Sequence, residues 1–306
     1  MSFYFIFWDG VGYGKKNPSV NPFFSASLPT LRKLFHNTLP SIHHKYCTDT
    51  TASFSPVNAT LRVAGLPQSG TGQATIMTGI NASQYIGKHF GPYPYSTLVP
   101  IIKEQNLFQQ LKERNRTFYF VNGFPKKYLD FLNDHRKRIP TIALSYISTG
   151  KTLSSHHEIQ NGEAISADIT GSRWEELGHA EVTAVSPLEA GKKIYRLGKN
   201  YDLIFFEYFV PDYAGHKQDM KLSVEALERM DGFLGGILEH FDDKQDILLM
   251  ISDHGNIEDL SVRTHTRNPV PLIMIGKDRE YFSSRIKNLT HITPAILSYF
   301  DRTNEQ

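Results

Sequence analysis

The chain has 306 residues, 40% of them hydrophobic and 21% charged, a balance that suits a soluble protein with a large core. Its net charge of +2 gives no case for a nucleic acid or a membrane surface as partner. The single cysteine, Cys47, excludes an internal disulfide framework and a thiolate metal cluster. Any metal must then be held by Asp, Glu, His or hydroxyl side chains, and thirteen histidines leave room for that.

The N-terminal run Phe3 to Trp8 is apolar but short, and Asp9 ends it. It lacks the basic region and the small-residue cleavage site of a signal peptide, so it reads as a buried strand. No stretch approaches the roughly 20 apolar residues of a membrane span, and a cytoplasmic location is expected. Asp9-Gly10-Val11-Gly12-Tyr13-Gly14 follows as a turn. It is not a P-loop, because counting back five residues from Gly14-Lys15 lands on Asp9 and Lys16 follows where Ser or Thr is needed. What remains is a carboxylate at a strand end, with glycines that let the backbone approach something bound.

Ser27 is the expected N-cap of a short helix running to about Phe35. Residues 41–58 are rich in Thr and Ser and read as loop or edge structure. In Gly65-Leu66-Pro67-Gln68-Ser69-Gly70-Thr71-Gly72-Gln73, Ser69 stands where a helix should begin. Backbone N–H groups there favour an anion. Ser69 or Thr71 could equally be an ordinary cap.

Residues 80–97 form an irregular loop with Lys88 and His89, and Leu98 to Asn115 reads as one amphipathic helix. A strand covers Thr117 to Val121. The stretch of about 124–187 has poor periodicity and is expected to be a small lid, with His156-His157 as a solvated pair. A helix from Pro187 to Asn200 precedes a buried strand, Tyr201 to Phe209. That strand runs into Asp212-Tyr213-Ala214-Gly215-His216, where Asp and His four apart can hold one ion. A long helix, Asp219 to about Phe241, leads to strands at about 247–251 and 270–275, and a last helix covers about Thr293 to Phe300. This alternation predicts an α/β fold: a three-layer α/β/α sandwich with a mostly parallel central sheet, as a single domain over 1–306.

Asp9, Asp212, His216, Asp253, His254 and His265 fall after strands or in the loops beyond them, in four separate stretches. In a parallel sheet such points share one edge. Six ligands and a hydroxyl suffice for two divalent ions, which together can serve an in-line displacement at phosphorus. A serine hydroxyl on one ion becomes a nucleophile.

These stretches resemble the alkaline phosphatase superfamily, and most closely its branch with cofactor-independent phosphoglycerate mutase and phosphopentomutase. The matching residues are Asp9-Gly10-Val11-Gly12, Ser69-Gly70-Thr71-Gly72-Gln73, Asp212 to His216, Ser252-Asp253-His254-Gly255-Asn256, His265 to Pro271 and the ending His291 to Leu297. The resemblance implies that Asp9, Ser69, Asp253 and His254 hold one ion and that Asp212, His216 and His265 hold the other. Ser69 would be the transiently phosphorylated nucleophile, with Thr71 in reserve. Asn256, Lys88 and Arg267 are candidate phosphate contacts on their chemistry.

Two departures bear on the reaction. The mutases insert a large second domain where this chain has a short middle, and they carry His where Gln73 stands. Both favour water as the acceptor. The expected function is therefore metal-dependent hydrolysis of a small phosphate ester with Mn or Zn. The alternatives are a phosphomutase or phosphotransferase, and a non-catalytic metal- or phospho-ligand-binding protein.

Overall fold

The computed structural model describes residues 1–39, 41–42, 47–48, 51–133 and 137–303. Its strands are β1 (Phe3–Trp8), β2 (Cys47–Thr48), β3 (Ala52–Val57), β4 (Phe118–Phe120), β5 (Asn122–Gly123), β6 (Ile165–Ser166), β7 (Leu203–Tyr208), β8 (Ile247–Ile251) and β9 (Val270–Gly276). Seven of them build one sheet in the order β2-β3-β9-β8-β1-β7-β4, and β5 pairs with β6 apart from it. The centre, β8-β1-β7-β4, is parallel. β9 runs antiparallel to β8, and β3 antiparallel to β9.

Alternation along each strand supplies both faces of the sheet. Phe3, Phe5 and Phe7 pack with Ile76, Met77, Ile142, Tyr146 and Phe300 on one side. Tyr4, Ile6 and Trp8 pack with Ile194, Leu227, Phe233 and Leu234 on the other. Because both faces are covered, the central strands are apolar throughout rather than alternating with polar residues, as parallel strands between helical layers must be. The result is the α/β/α sandwich expected from the sequence.

Several local expectations change. The helix expected over Leu98 to Asn115 is two, Val99–Gln105 and Leu107–Glu113. Asn106 breaks it with ψ 162°, and its side chain accepts from the Gln109 N–H to start the second helix. Ser27 caps nothing: the helix Pro29–Leu34 begins after Leu28, and the Asp231 carboxylate takes the N–H groups of Thr30 and Leu31 instead. A distant carboxylate has replaced the local hydroxyl. Of the stretch 41–58, residues 43–46 and 49–50 lie outside the described residues, while β3 sits inside the sheet between β2 and β9.

Within 124–187 the chain is more ordered than its periodicity implies. Helices cover Lys126–Asn133, Thr141–Ile147 and His156–Gln160. Ile142 and Tyr146 belong to the main core, whereas Ile159, Ala164, Trp174 and Val182 form a small core of their own. Among the described residues, no helix is long and apolar enough to cross a membrane.

Candidate metal centre

The register of the sheet explains why residues far apart in sequence meet. Phe7 of β1 lies between Glu207 of β7 and Ile251 of β8. Two residues beyond Phe7 and Ile251 come Asp9 and Asp253, both buried and on the same face as those residues. β9 runs the opposite way, so its entry lies at this same edge, and His265 arrives there on the loop leading into it. The helix Val210–Lys217 starts right after β7 and carries Asp212 and His216 four apart on one side. From the facing layer, the helix Ser69–Thr78 brings Ser69 as its first residue.

Two groups of ligand-type atoms result: Asp9, Asp253 and His254, and Asp212, His216 and His265. In the first, His254 Nε2 is 3.3 Å from Asp9 Oδ1, 3.6 Å from Asp253 Oδ2 and 2.9 Å from Ser69 Oγ. In the second, His216 Nε2 is 3.3 Å from Asp212 Oδ2, and His265 Nε2 is 3.5 Å from Asp212 Oδ1 and 3.0 Å from His216 Nε2. The groups adjoin. The His254 and His265 rings stack with centroids 3.7 Å apart, and His254 Nδ1 is 3.9 Å from Asp212 Oδ1.

Three features, the first in the Asp9 group, the second in the Asp212 group and the third in both, fit bound cations. Both carboxylate oxygens of Asp253, and Oδ1 of Asp9, are buried without a hydrogen-bond partner, an arrangement that costs several kcal/mol unless a cation or a proton joins it. His265 Nδ1 donates to the Pro67 carbonyl at 2.7 Å and His216 Nδ1 to the Arg263 carbonyl at 3.0 Å. Each such bond fixes the tautomer and leaves Nε2 as a lone pair, the usual outer support of a metal-bound histidine. The donors are all oxygen and nitrogen, which suits Zn or Mn.

The electrostatics agree. Burial, then the neighbouring Asp253 and Asp212, pushes the Asp9 carboxyl well up. Burial and Asp212 do the same to Asp253. Burial also pushes Asp212 up, but the His216 hydrogen bond, His254, His265 and Asn256 outweigh it and hold this carboxyl well below the usual range. Burial depresses His254 to about 3, and depresses His265. His216 is raised by its bond to Asp212.

The other residues singled out in the sequence divide. Thr71 is fully buried, donates to the Gln68 carbonyl and accepts from the Phe90 N–H, so its hydroxyl is committed to the backbone. Gln73 donates to Asp9 Oδ2 at 3.2 Å. Asn256 is fully buried with its amide donating to Asp212, which places it behind that carboxylate. Arg267 is exposed and donates to the Gly65 carbonyl at 3.1 Å. Lys88 is exposed over the rings of Phe90 and Tyr95. The pair His156-His157 is not simply solvated: His156 is half-buried, stacks on His157 and His179, and lies 3.6 Å from Glu181. His179 donates from Nδ1 to Glu181 and accepts the Lys126 N–H on Nε2, so both its nitrogens are spent joining segments of the middle region.

Two carboxylates escaped the sequence reading. Glu207, one residue before the end of β7, lies on the face of Phe205 and the helix Ser69–Thr78, and burial raises it to about 7. A lone Glu inside the apolar run Leu203 to Phe209 was the signal available. Glu258 is buried and accepts from the N–H groups of Gly12 and Asn256, from Asn268 Nδ2 and from the Thr266 hydroxyl. It ties the loop after β1 to both ends of the connection between β8 and β9, and nothing local in its sequence marks it.

A family model described as the metalloenzyme superfamily matches residues 1–303. The 2,3-bisphosphoglycerate-independent phosphoglycerate mutase of Mesomycoplasma hyopneumoniae is 30% identical over 148 residues, which are 46% of this chain and 28% of that protein. The mutase of the same name from Agrobacterium fabrum is 35% identical over 108 residues, 33% of this chain and 20% of that one. The chain thus matches under a third of the length of these relatives. Among solved structures, the PH0037 protein of Pyrococcus horikoshii superposes with a TM-score of 0.57 at 15% identity, covering 98% of this chain and 97% of that one. The alkaline phosphatase of the Antarctic bacterium TAB5 gives 0.51 at 11% identity, covering 97% of each chain. Both are likenesses of fold.

Proposed function

Because the chain belongs to the metalloenzyme superfamily, whose likenesses here support metal-dependent phosphoryl transfer, we propose that it hydrolyses a small phosphate ester through a phosphoserine at Ser69. The observation that carries this reading is the position of Ser69 Oγ, 2.9 Å from His254 Nε2 on the first residue of a buried helix. Asp9, Asp253 and His254, with Ser69, would hold one divalent ion; Asp212, His216 and His265 would hold the second. When bound, such ions lower the pKa of a hydroxyl and neutralise charge on the phosphoryl oxygens.

Ser69 attacks phosphorus, the ester oxygen leaves with a proton as the free alcohol, and water then cleaves the phosphoserine to inorganic phosphate. In the first turn of the helix, the Thr71 N–H is taken by the Phe90 carbonyl and that of Gly72 by the Gln68 carbonyl. The N–H groups of Ser69 and Gly70 are left for the equatorial oxygens, where fixed donors act on charge as it develops. His216 and His265 keep their ligand nitrogens turned inward through their carbonyl partners.

The second reading, transfer back to the substrate as in a mutase, is favoured by the names of the matched relatives. The short segment between β4 and β7 favours water as acceptor. The test is metal-stripped protein reloaded with Mn or Zn and offered an aryl phosphate monoester and a diester, with Ser69→Ala as control. Metal-restored release of phosphate that vanishes in Ser69→Ala is expected. Isomerised sugar phosphate without free phosphate would replace hydrolysis by the mutase reading, and ligand binding with no turnover of any ester would leave only a binding role.

A further inference from the structure

Among the described residues, few large apolar side chains are open to solvent, and three of them surround the Asp212 group. Phe209 is 47% exposed, Tyr213 48% and Val262 40%. An α-helix has 3.6 residues per turn, so Phe209, Tyr213 and Lys217, four apart, form one ridge beside the ridge of Asp212 and His216. The Tyr213 N–H reaches back to the Phe209 carbonyl at 3.4 Å, so the helical turn, and with it the four-residue spacing of this ridge, begins at Phe209. The opposite side of the helix, Pro211, Ala214 and Gly215, is the buried one. The His216 side chain is itself 43% exposed, so the ligand group and the two rings share one open surface. Val262 precedes Arg263, whose carbonyl holds His216 Nδ1.

Cations flank this apolar patch. Lys217 Nζ lies 5.5 Å from the centre of the Tyr213 ring, and Arg263 and Arg267 are exposed on the loop that carries His265. Rings beside the site of phosphoryl chemistry, with positive charge around them, match a ligand that joins a flat apolar group to one or more phosphates. A small polyol phosphate would leave both rings in water. The rings are continuous with the ligand group, which argues for the substrate rather than a partner protein as their occupant.

We infer that Phe209 and Tyr213 form a stacking platform for a flat ring carried by the group esterified to the phosphate, so that the substrate is a nucleoside or aryl phosphate rather than a small alkyl phosphate. This rests on the phosphoryl-transfer reading of the adjoining site.

The test measures binding without turnover. Mn-loaded Ser69→Ala protein, its ion content checked, is titrated calorimetrically with adenosine 5′-monophosphate, phenyl phosphate, glycerol phosphate and inorganic phosphate. The same titrations are run with Phe209→Ala and Tyr213→Ala added singly and together. The two ring-bearing ligands should bind about tenfold more tightly than glycerol phosphate, on the scale of aromatic stacking. That advantage should vanish in the double variant while inorganic phosphate binds as before, and Tyr213→Phe should retain it. A preference for adenosine 5′-monophosphate over phenyl phosphate assigns the nucleoside; equal binding of the two assigns any aryl group. Equal affinity for ring and alkyl phosphates overturns the inference but leaves the phosphoryl-transfer site standing. So does self-association of the chain that the double variant abolishes without changing ligand preference. Failure of every ligand to bind, inorganic phosphate included, overturns both.

Discussion

Asn256 Nδ2 donates to Asp212 Oδ1 at 2.7 Å and to the Asp212 carbonyl at 3.2 Å, so a fully buried amide from the loop after β8 holds a carboxylate that belongs to the helix after β7. The bond fixes one oxygen of Asp212 while the other faces His216. Removing such outer partners typically weakens a metal site 10–100-fold. Asn256→Ala should therefore lower affinity at the Asp212 group by about that factor, read by competition with a chelator, and substrate affinity at saturating metal should change little. An unchanged metal affinity with a large rise in KM would mean that the amide meets the substrate after all.

The bare carboxylates give a second expectation. Asp9 and Asp253 are buried together with Asp212 close by; burial, then the charges of Asp253 and Asp212, raises Asp9, and burial, then the charge of Asp212, raises Asp253. A metal that binds only the folded state stabilises it by about 2.7 kcal/mol at a hundred times its dissociation constant. Thermal unfolding of stripped protein should shift upward by several degrees with Mn or Zn, and Asp253→Asn should lose much of the shift. If stripped and loaded proteins unfold together, the two groups hold no ions.

Gly72 offers a steric test of the same site. Ala at a helical Gly normally adds about 0.5–1 kcal/mol. At Gly72, however, the new Cβ would lie 2.8 Å from Asp253 Cβ and 3.1 Å from the Asp253 carbonyl oxygen. Neither is the end of a flexible chain, so helix and strand end must part. Overpacking of this kind costs about 1–3 kcal/mol, and that outweighs the gain. Gly72→Ala should unfold at lower temperature than wild type and lose ions from the Asp9 group first. A more stable variant with full ion content would show that the helix Ser69–Thr78 can move away freely.

The convergence of Asp9, Asp212, Asp253 and His254 was legible because each lies just beyond an apolar run that reads as a buried strand, and the ends of parallel strands share one edge. Ser69 was legible as a helix start, but its choice over Thr71 rests on where the hydroxyls turn: Thr71 to the Gln68 carbonyl, Ser69 to His254. What stayed hidden depends on distant partners. No local pattern announces that Asp231 will cap a helix 200 residues away or that Glu258 will bind four donors from the loops after β1 and β8. The direction of β9 was hidden too, since an apolar run reads the same in either sense, yet that direction is what delivers His265 to the site edge. The break at Asn106 came from side-chain capping that hydrophobic periodicity does not record.

Glu207 gives a prediction with a sign that can be checked. Burial raises its carboxyl from 4.5 to about 7, and no neighbouring cation offsets this. The folded state therefore holds this proton more tightly than the unfolded chain does. Its contribution is fully present below pH 4.5, falls as pH rises from 4.5 to 7, and is lost above that. For a partly exposed group, a shift of this size is worth about 2–3 kcal/mol. Metal-free wild type should lose stability across that window, and Glu207→Gln, which keeps the shape without the titration, should lose about that much less. Buried Asp9 and Asp253 fall in the same direction in both proteins, and because the Glu207 charge also raises Asp9, the difference between the two profiles contains Glu207 together with its coupling to Asp9. Urea unfolding at pH 5 and pH 8 reads it directly. Parallel profiles would mean that water or another group already solvates the Glu207 carboxylate at the end of β7.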